Sequence, residues 1–193
     1  MGTMSFLLVG VGGQGTLLAS NIVAEVGLRA GYQVKKSEVH GMAQRGGSVS
    51  SHVRWGREVH SPLIGIGHAD TLVAFERIEA LRYLEYLRPK GKVLVSDHAI
   101  IPVTVTTGSA TYPTQQEILD TLHQVTSDVT FVPGVPIAEK LGNARAHNIV
   151  VLGALSSWLE IEATIWKEVI AERVPPRHRE LNLRAFLRGR EVE

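Results

Sequence analysis

The first residues that could do chemistry are the glycines of Gly10-Val11-Gly12-Gly13-Gln14-Gly15, which satisfy G-x-G-x-x-G. They follow the apolar run Ser5–Val11 and precede a helical pattern, the context in which such a loop can receive a ligand. Glycines let a backbone turn sharply and approach a bound group, and the amides opening a helix point at an anion such as a phosphate. Gly10, Gly12, Gly13, Gln14 and Gly15 are therefore candidate contacts for an anion or nucleotide. Glu38 lies 23 residues beyond Gly15, where an acid could accept hydrogen bonds from an adenosine ribose. A tight strand–helix junction that binds nothing is the competing reading of the same glycines.

A second constellation runs His40-Gly41-Met42-Ala43-Gln44-Arg45-Gly46-Gly47-Ser48. Gln44, Arg45, Gly46 and Gly47 describe an exposed loop at a sheet edge, and Arg45 could hold a carboxylate or phosphate in a bidentate fork. A turn with a solvated arginine is the plain alternative. A third is Asn143-Ala144-Arg145-Ala146-His147-Asn148, followed by the helical run from Ile149 and later by Asn182-Leu183-Arg184-Ala185-Phe186. Here Asn143 could cap the long helix and Asn148 could bond a loop or a partner. The eight histidines are scattered, without H-E-x-x-H spacing, and no G-x-S-x-G elbow is present. A metal site and a serine hydrolase are not expected.

The elements that would carry these residues alternate. Ser5–Val11 is a strand buried on both faces, residues 15–30 a helix stopped by Gly31, and Tyr32–Val39 a strand with lysines toward solvent. Ser48–Trp55 alternates like a half-exposed strand, and Gly56-Arg57-Glu58 suits a turn into a second hairpin strand, Val59–Ile66. Thr71–Phe75 is a strand, Ile78–Leu87 a helix closed by Pro89 and Gly91, and Lys92–Ser96 and Val103–Thr106 further strands. Thr114–Val125 is a helix opened by a Thr114/Glu117 capping box, and Val129–Val132 is the last strand. After Gly134 the segments Pro136–Leu141, Ala144–Leu159, Ile161–Arg173 and His178–Leu187 all read as helices, with Pro175-Pro176 parting the last two. Trp158 and Trp166, eight apart, fall roughly on one helical face and suggest core packing, with an interface as the alternative.

This rhythm predicts an α/β fold, a Rossmann-like three-layer domain with a mostly parallel sheet and a helical C-terminal third. Residues 1–193 form a single domain in this reading, with an α/β core over about 4–134 and a helical extension over about 135–193. A dinucleotide fold would continue past Glu38 into a crossover helix, whereas here a glycine-rich loop leads into what reads as a hairpin.

Composition excludes several classes. The 193 residues contain 20 Lys+Arg, 19 Asp+Glu and no cysteine. A net charge of +1 selects neither nucleic acid nor an anionic membrane. Without cysteine the chain can form no disulfide, ligate no iron–sulfur cluster and offer no thiol nucleophile. No segment reaches the roughly 18 apolar residues of a membrane span, and the N-terminus lacks the pattern of a signal peptide. A cytoplasmic protein is expected.

Taken in order, GVGGQG at 10–15, HGMAQRGGSVSSHVRWG at 40–56, NIVVLGAL at 148–155 and NLRAF at 182–186 resemble one family. It is the gamma-type domain of 2-oxoacid:ferredoxin oxidoreductases, most of all the small subunit of the indolepyruvate type, and the likeness runs along essentially the whole chain. The resemblance implies a subunit of a complex that cleaves 2-oxo acids oxidatively and forms an acyl-CoA. Thiamine diphosphate with Mg, and the iron–sulfur clusters that feed ferredoxin, would sit in a large partner subunit. This chain would bind none of these alone and be inactive by itself, its glycine loop a candidate coenzyme A contact. Gln44, Arg45, Gly46 and Gly47 would meet substrate or the partner, and a homodimer of the isolated chain is also envisaged. The alternative is a free-standing NAD(P)- or nucleotide-binding protein using Gly10–Gly15 and Glu38.

Overall fold

A computed structural model describes residues 2–40 and 47–192. Its frame is a six-stranded sheet built from β1 (Met4–Val11), β2 (Gln33–His40), β3 (Ser48–Gly56), β4 (Ala69–Ala74), β5 (Leu87–Ser96) and β6 (Val129–Val132). The order across it is β2-β3-β1-β4-β5-β6. Strands β1, β4, β5 and β6 run parallel, whereas β3 is antiparallel to both β1 and β2.

Strand β1 is apolar on both sides because both sides are covered. Phe6 and Leu8 enter one core with α1 (Thr16–Arg29), α6 (His147–Ser157), α7 (Ala163–Arg173) and α8 (Arg179–Arg190). Leu7 and Val9 enter the other, closed by α2 (Arg77–Arg82) and α4 (Gln115–His123). The short helices α3 (Val103–Thr106) and α5 (Gly134–Lys140) complete the chain. The mostly parallel, two-sided α/β architecture expected from the sequence is thus present, and the helical last third packs on the first of these faces.

Helix α6 is buried from His147 through Ser156, which explains a sequence with no polar stripe. Its neighbour α7 turns Trp166 inward, where the ring stacks on Phe186 of α8 at 6.0 Å. Trp158 instead follows the end of α6 and lies under Lys92 Nζ at 5.1 Å. The two tryptophans therefore do not share a helical face, because a break at 158–162 separates their helices.

Several expected elements take other forms. Val59–Ile66 is an irregular loop, and the hairpin partner of β3 is β2. Val103–Thr106 is one turn of helix with no buried residue, not a strand. The helix expected over Ile78–Leu87 ends at Arg82, a 3-10 turn follows, and Leu87 already pairs with Ala69 in β5. Pro89 and Gly91 thus lie in an irregular stretch of a strand, where the register shifts and Lys90 takes a positive φ of 60°. Residues 144–146 form a 3-10 turn ahead of α6, and α7 starts at Ala163. Lys36 does not point to solvent but hydrogen-bonds Asn21 of α1. The Thr114/Glu117 capping box forms as expected.

Candidate functional site

The carboxyl ends of the parallel strands converge on the glycine loop. Val11 ends β1, and the chain turns through Gly13 (φ 107°) and Gly15 (φ 81°) into α1. Both angles lie in the left-handed region that side chains disfavour. Gly15 is doubly constrained, since a Cβ there would lie 2.3 Å from Asn148 Nδ2. A Cβ on Gly13 would meet nothing within 4 Å among the described residues, so only its backbone angle demands glycine.

Gln14 acts as a clamp. Its Oε1 accepts from Val11 N at 2.8 Å, and its Nε2 donates to Phe75 O at 2.8 Å, tying the end of β1 to the end of β4. Both ends of the carboxamide are thereby engaged with backbone. Asn148 grips the other end of the loop, its Nδ2 donating to Gly15 O at 3.3 Å. Among the described residues no side chain caps α1, whose first-turn amides have no intrahelical partner.

The second constellation reaches the same place. Gln44, Arg45 and Gly46 lie outside the described residues. Gly47, which follows them, accepts a hydrogen bond from Gly12 N at 2.8 Å. The two glycine motifs therefore adjoin, because β3 enters the sheet beside β1 with Ser48 opposite Val11. Ser48 donates to the buried Glu79 of α2 and lies 3.1 Å from the Tyr83 hydroxyl.

Glu38 does not join them. In a dinucleotide fold the strand carrying the ribose-binding acid lies next to β1. Here β3 stands between β1 and β2, with Glu38 opposite Ser51 and Ser51 opposite Leu8. Two strand spacings, roughly 10 Å, separate Glu38 from β1. Its carboxylate accepts from Lys36.

Two clefts flank the loop. One, of about 410 Å³, is lined by Gly12, Gly13, Thr16, Leu17, Val49 and Ser51 among others. The other, of about 550 Å³, brings Gly13 and Gly15 together with His98, Glu139, Arg145 and His147. His147 opens α6 and is 8% exposed, and its Nδ1 is buried without a hydrogen-bond partner. Burial, and secondarily the proximity of His98, pull its pKa down to about 4, so the ring is neutral at pH 7.

Glu76, at the end of β4, organises the rim. It is 2% exposed and accepts from Ile78 N at 2.7 Å and Glu79 N at 3.1 Å, capping α2. Its other oxygen accepts from Ile100 N and the Tyr112 hydroxyl, holding both ends of the exposed segment between them. Burial, with the neighbouring Glu76 carboxylate, pushes the Tyr112 phenol above its usual range. Glu76 and the His98–His147 approach (rings 6.1 Å apart) escaped the sequence reading. The signal for Glu76 was an acid at a strand end ahead of a helix; nothing local signalled the histidine pair, whose members lie 49 residues apart.

A glycine loop, helix N-termini and clefts gather at the carboxyl edge of an open α/β sheet, the edge at which such folds generally bind ligands. The sequence matches the pyruvate ferredoxin/flavodoxin oxidoreductase family over residues 5–192, and the chain belongs to that family. It is 44% identical over 188 residues to indolepyruvate oxidoreductase subunit IorB of Archaeoglobus fulgidus, spanning 96% of this chain and 93% of that one. Identity to the IorB subunit of Thermococcus kodakarensis is 40%, with the same coverage. The crystal structure of a keto/oxoacid ferredoxin oxidoreductase gamma subunit from Geobacter sulfurreducens superposes with a TM-score of 0.77 at 25% identity, covering 100% of this chain and 97% of that one.

Proposed function

We propose that this chain is the small, cluster-free subunit of a 2-oxoacid:ferredoxin oxidoreductase acting on indolepyruvate or another aryl or keto acid. Its large partner would carry thiamine diphosphate, Mg and the iron–sulfur clusters, and ferredoxin would take the electrons. The observation that carries this reading is the near full-length likeness to two IorB subunits. The chemistry of the chain agrees with such a division. It has no cysteine to bind iron, and among the described residues no group of three metal-binding side chains comes together. Residues 1–193 act as one unit in this reading, in the cytoplasm; among the described residues no helix is long and apolar enough to cross a membrane.

The carboxyl edge is where this subunit would contribute. Coenzyme A, when bound, supplies the thiol that accepts the acyl group. The surface at Gly12 and Gly13 and the uncapped start of α1 fit an anionic group such as one of its phosphates. Gln14 would shape that surface, and Gln44, Arg45, Gly46 and Gly47 would meet substrate or the large subunit beside it. The displaced Glu38 argues against the NAD(P) alternative.

Reconstitution tests the assignment. The isolated chain should not reduce ferredoxin with indolepyruvate, and the large subunit should gain activity when this chain is added. Turnover by this chain alone, or saturable NAD(P) binding in calorimetry, would overturn it. Arg45→Ala should lower activity of the reconstituted complex while the chain stays folded; unchanged kinetics and assembly would make Arg45 a solvated surface residue.

A further inference from the structure

Glu38, without a place at the glycine loop, lies on a strand that ends the sheet. Strand β2 spans Gln33–His40 and, among the described residues, pairs on one side only, with β3. Alternate residues of such a strand turn their backbone N–H and C=O groups away from the ladder, a template for a further strand. Lysines on an edge commonly guard it against such pairing. The two here are folded back onto their own chain. Lys35 Nζ donates to His60 O at 3.1 Å, and Lys36 Nζ donates to Asn21 and Glu38. Val39, on the same face as Lys35, is 48% exposed.

The geometry points to a second copy of this chain as the occupant of that edge, with the two β2 strands antiparallel about a twofold axis at Ser37. Antiparallel partners directly opposite must lie on the same face of the sheet, so the axis can pass only through a residue pair. Centring it on Lys35, Lys36 or Glu38 sets a charge against its own copy, and like charges directly opposite are destabilising. Centring it on Ser37 places Lys36 of each copy opposite Glu38 of the other. The four charges then alternate around a square, each acid beside a base of its own strand and a base of its partner. Lys35 of each copy meets Val39 of the other, and its aliphatic stem covers that exposed side chain. The interface is isologous and joins two six-stranded sheets into one of twelve. This pairing does not depend on the oxidoreductase assignment, and its failure would leave that assignment untouched.

Sedimentation velocity across a dilution series should show the isolated chain dimerising. Lys36→Glu and Glu38→Lys should each weaken the dimer roughly tenfold, since each sets like charges opposite one another. An equimolar mixture of the two variants should dimerise again, because in the mixed pair every acid once more faces a base. A monomeric wild-type chain, single variants that dimerise as wild type does, or folded variants that fail to rescue each other would overturn the pairing. Should a variant fail to fold, hydrogen exchange of the unaltered chain decides. Amides of residues 33–40 gain protection with concentration if the edges pair, and show none if they do not.

Discussion

The two ends of the sheet treat their polar groups differently. At the amino end, beside a cleft lined by Ser5, Arg54, His68, Asp70 and Arg88, the charged groups close on themselves. Asp70 accepts from Ser5 N at 2.8 Å and Arg88 Nε at 2.7 Å, while Arg54 donates to Ser5 Oγ at 3.2 Å and Ser61 O at 3.1 Å. At the carboxyl end, Thr16 Oγ1, Arg77 Nε, Ser96 Oγ and His147 Nδ1 are buried without a partner among the described residues, whereas at the amino end Trp55 Nε1, opposite Met4, is left open. Buried polar groups are ordinarily satisfied, so an end that leaves several open gives up stability there. The amino end holds the sheet together. The carboxyl end leaves more of its buried polar atoms open.

Substitutions at the two ends should differ accordingly, beginning with the loop itself. Gly15→Ala combines a left-handed φ with the clash against Asn148, and should destabilise by about 2–4 kcal/mol, lowering the melting temperature by roughly 5–15 °C. A melting temperature within a degree or two of wild type would show that the junction relaxes freely. Glu76→Ala removes an acceptor of four hydrogen bonds and the cap of α2, at a cost of about 2–3 kcal/mol. Limited proteolysis should then cut first between Ile100 and Tyr112; unchanged cleavage would deny Glu76 its hold on that segment.

His147 gives the contrast a pH signature. Its folded pKa, about 4, lies below the ordinary value of 6.5, so folding favours the neutral ring. That stability is complete above pH 6.5 and is lost as pH falls toward 4, while the unfolded chain takes up the proton. Between pH 6.5 and 5 the loss should be about 1–2 kcal/mol, with His52, also lowered by burial, adding in the same direction. Denaturant unfolding of His147→Phe across that range should show a shallower decline; an unaltered slope would refute the assignment to His147. The smallest effect belongs to the amino end. Asp70→Ala breaks a half-exposed ion pair and one backbone bond, costing about 0.5–1 kcal/mol and leaving activity of the reconstituted complex unchanged. Lost activity there would erase the distinction between the two ends.

Much of this was legible along the chain. The buried strands around Phe6–Val9 and Leu72–Ala74 and the helix from Thr16 announce themselves by period, and the capping box at Thr114 by residue type. Short amphipathic segments were not so readable. Val103–Thr106 has the composition of a strand and forms a helical turn, and Val59–Ile66 has an apolar pattern yet joins no sheet. Propensity over four to eight residues is weak, and the availability of a partner edge overrides it. Residue type and neighbours make Gln14 a candidate ligand contact, but no local pattern shows that its carboxamide bonds Val11 and Phe75, the second of these 61 residues away.

By itself the sequence determined the alternation of elements, the glycine turn into α1, the absence of cysteine ligands and the motif order shared with the family. These depend on local geometry and composition, which a linear pattern records directly. Tertiary structure alone decided that β3 lies between β1 and β2, removing Glu38 from the loop, bringing Gly47 to Gly12 and leaving β2 as an open edge. It also brought Asn148 to Gly15 across 133 residues and set His147 against His98. Strand order and long-range polar partners follow from which surfaces bury one another, and that is a property of the packed molecule rather than of any segment.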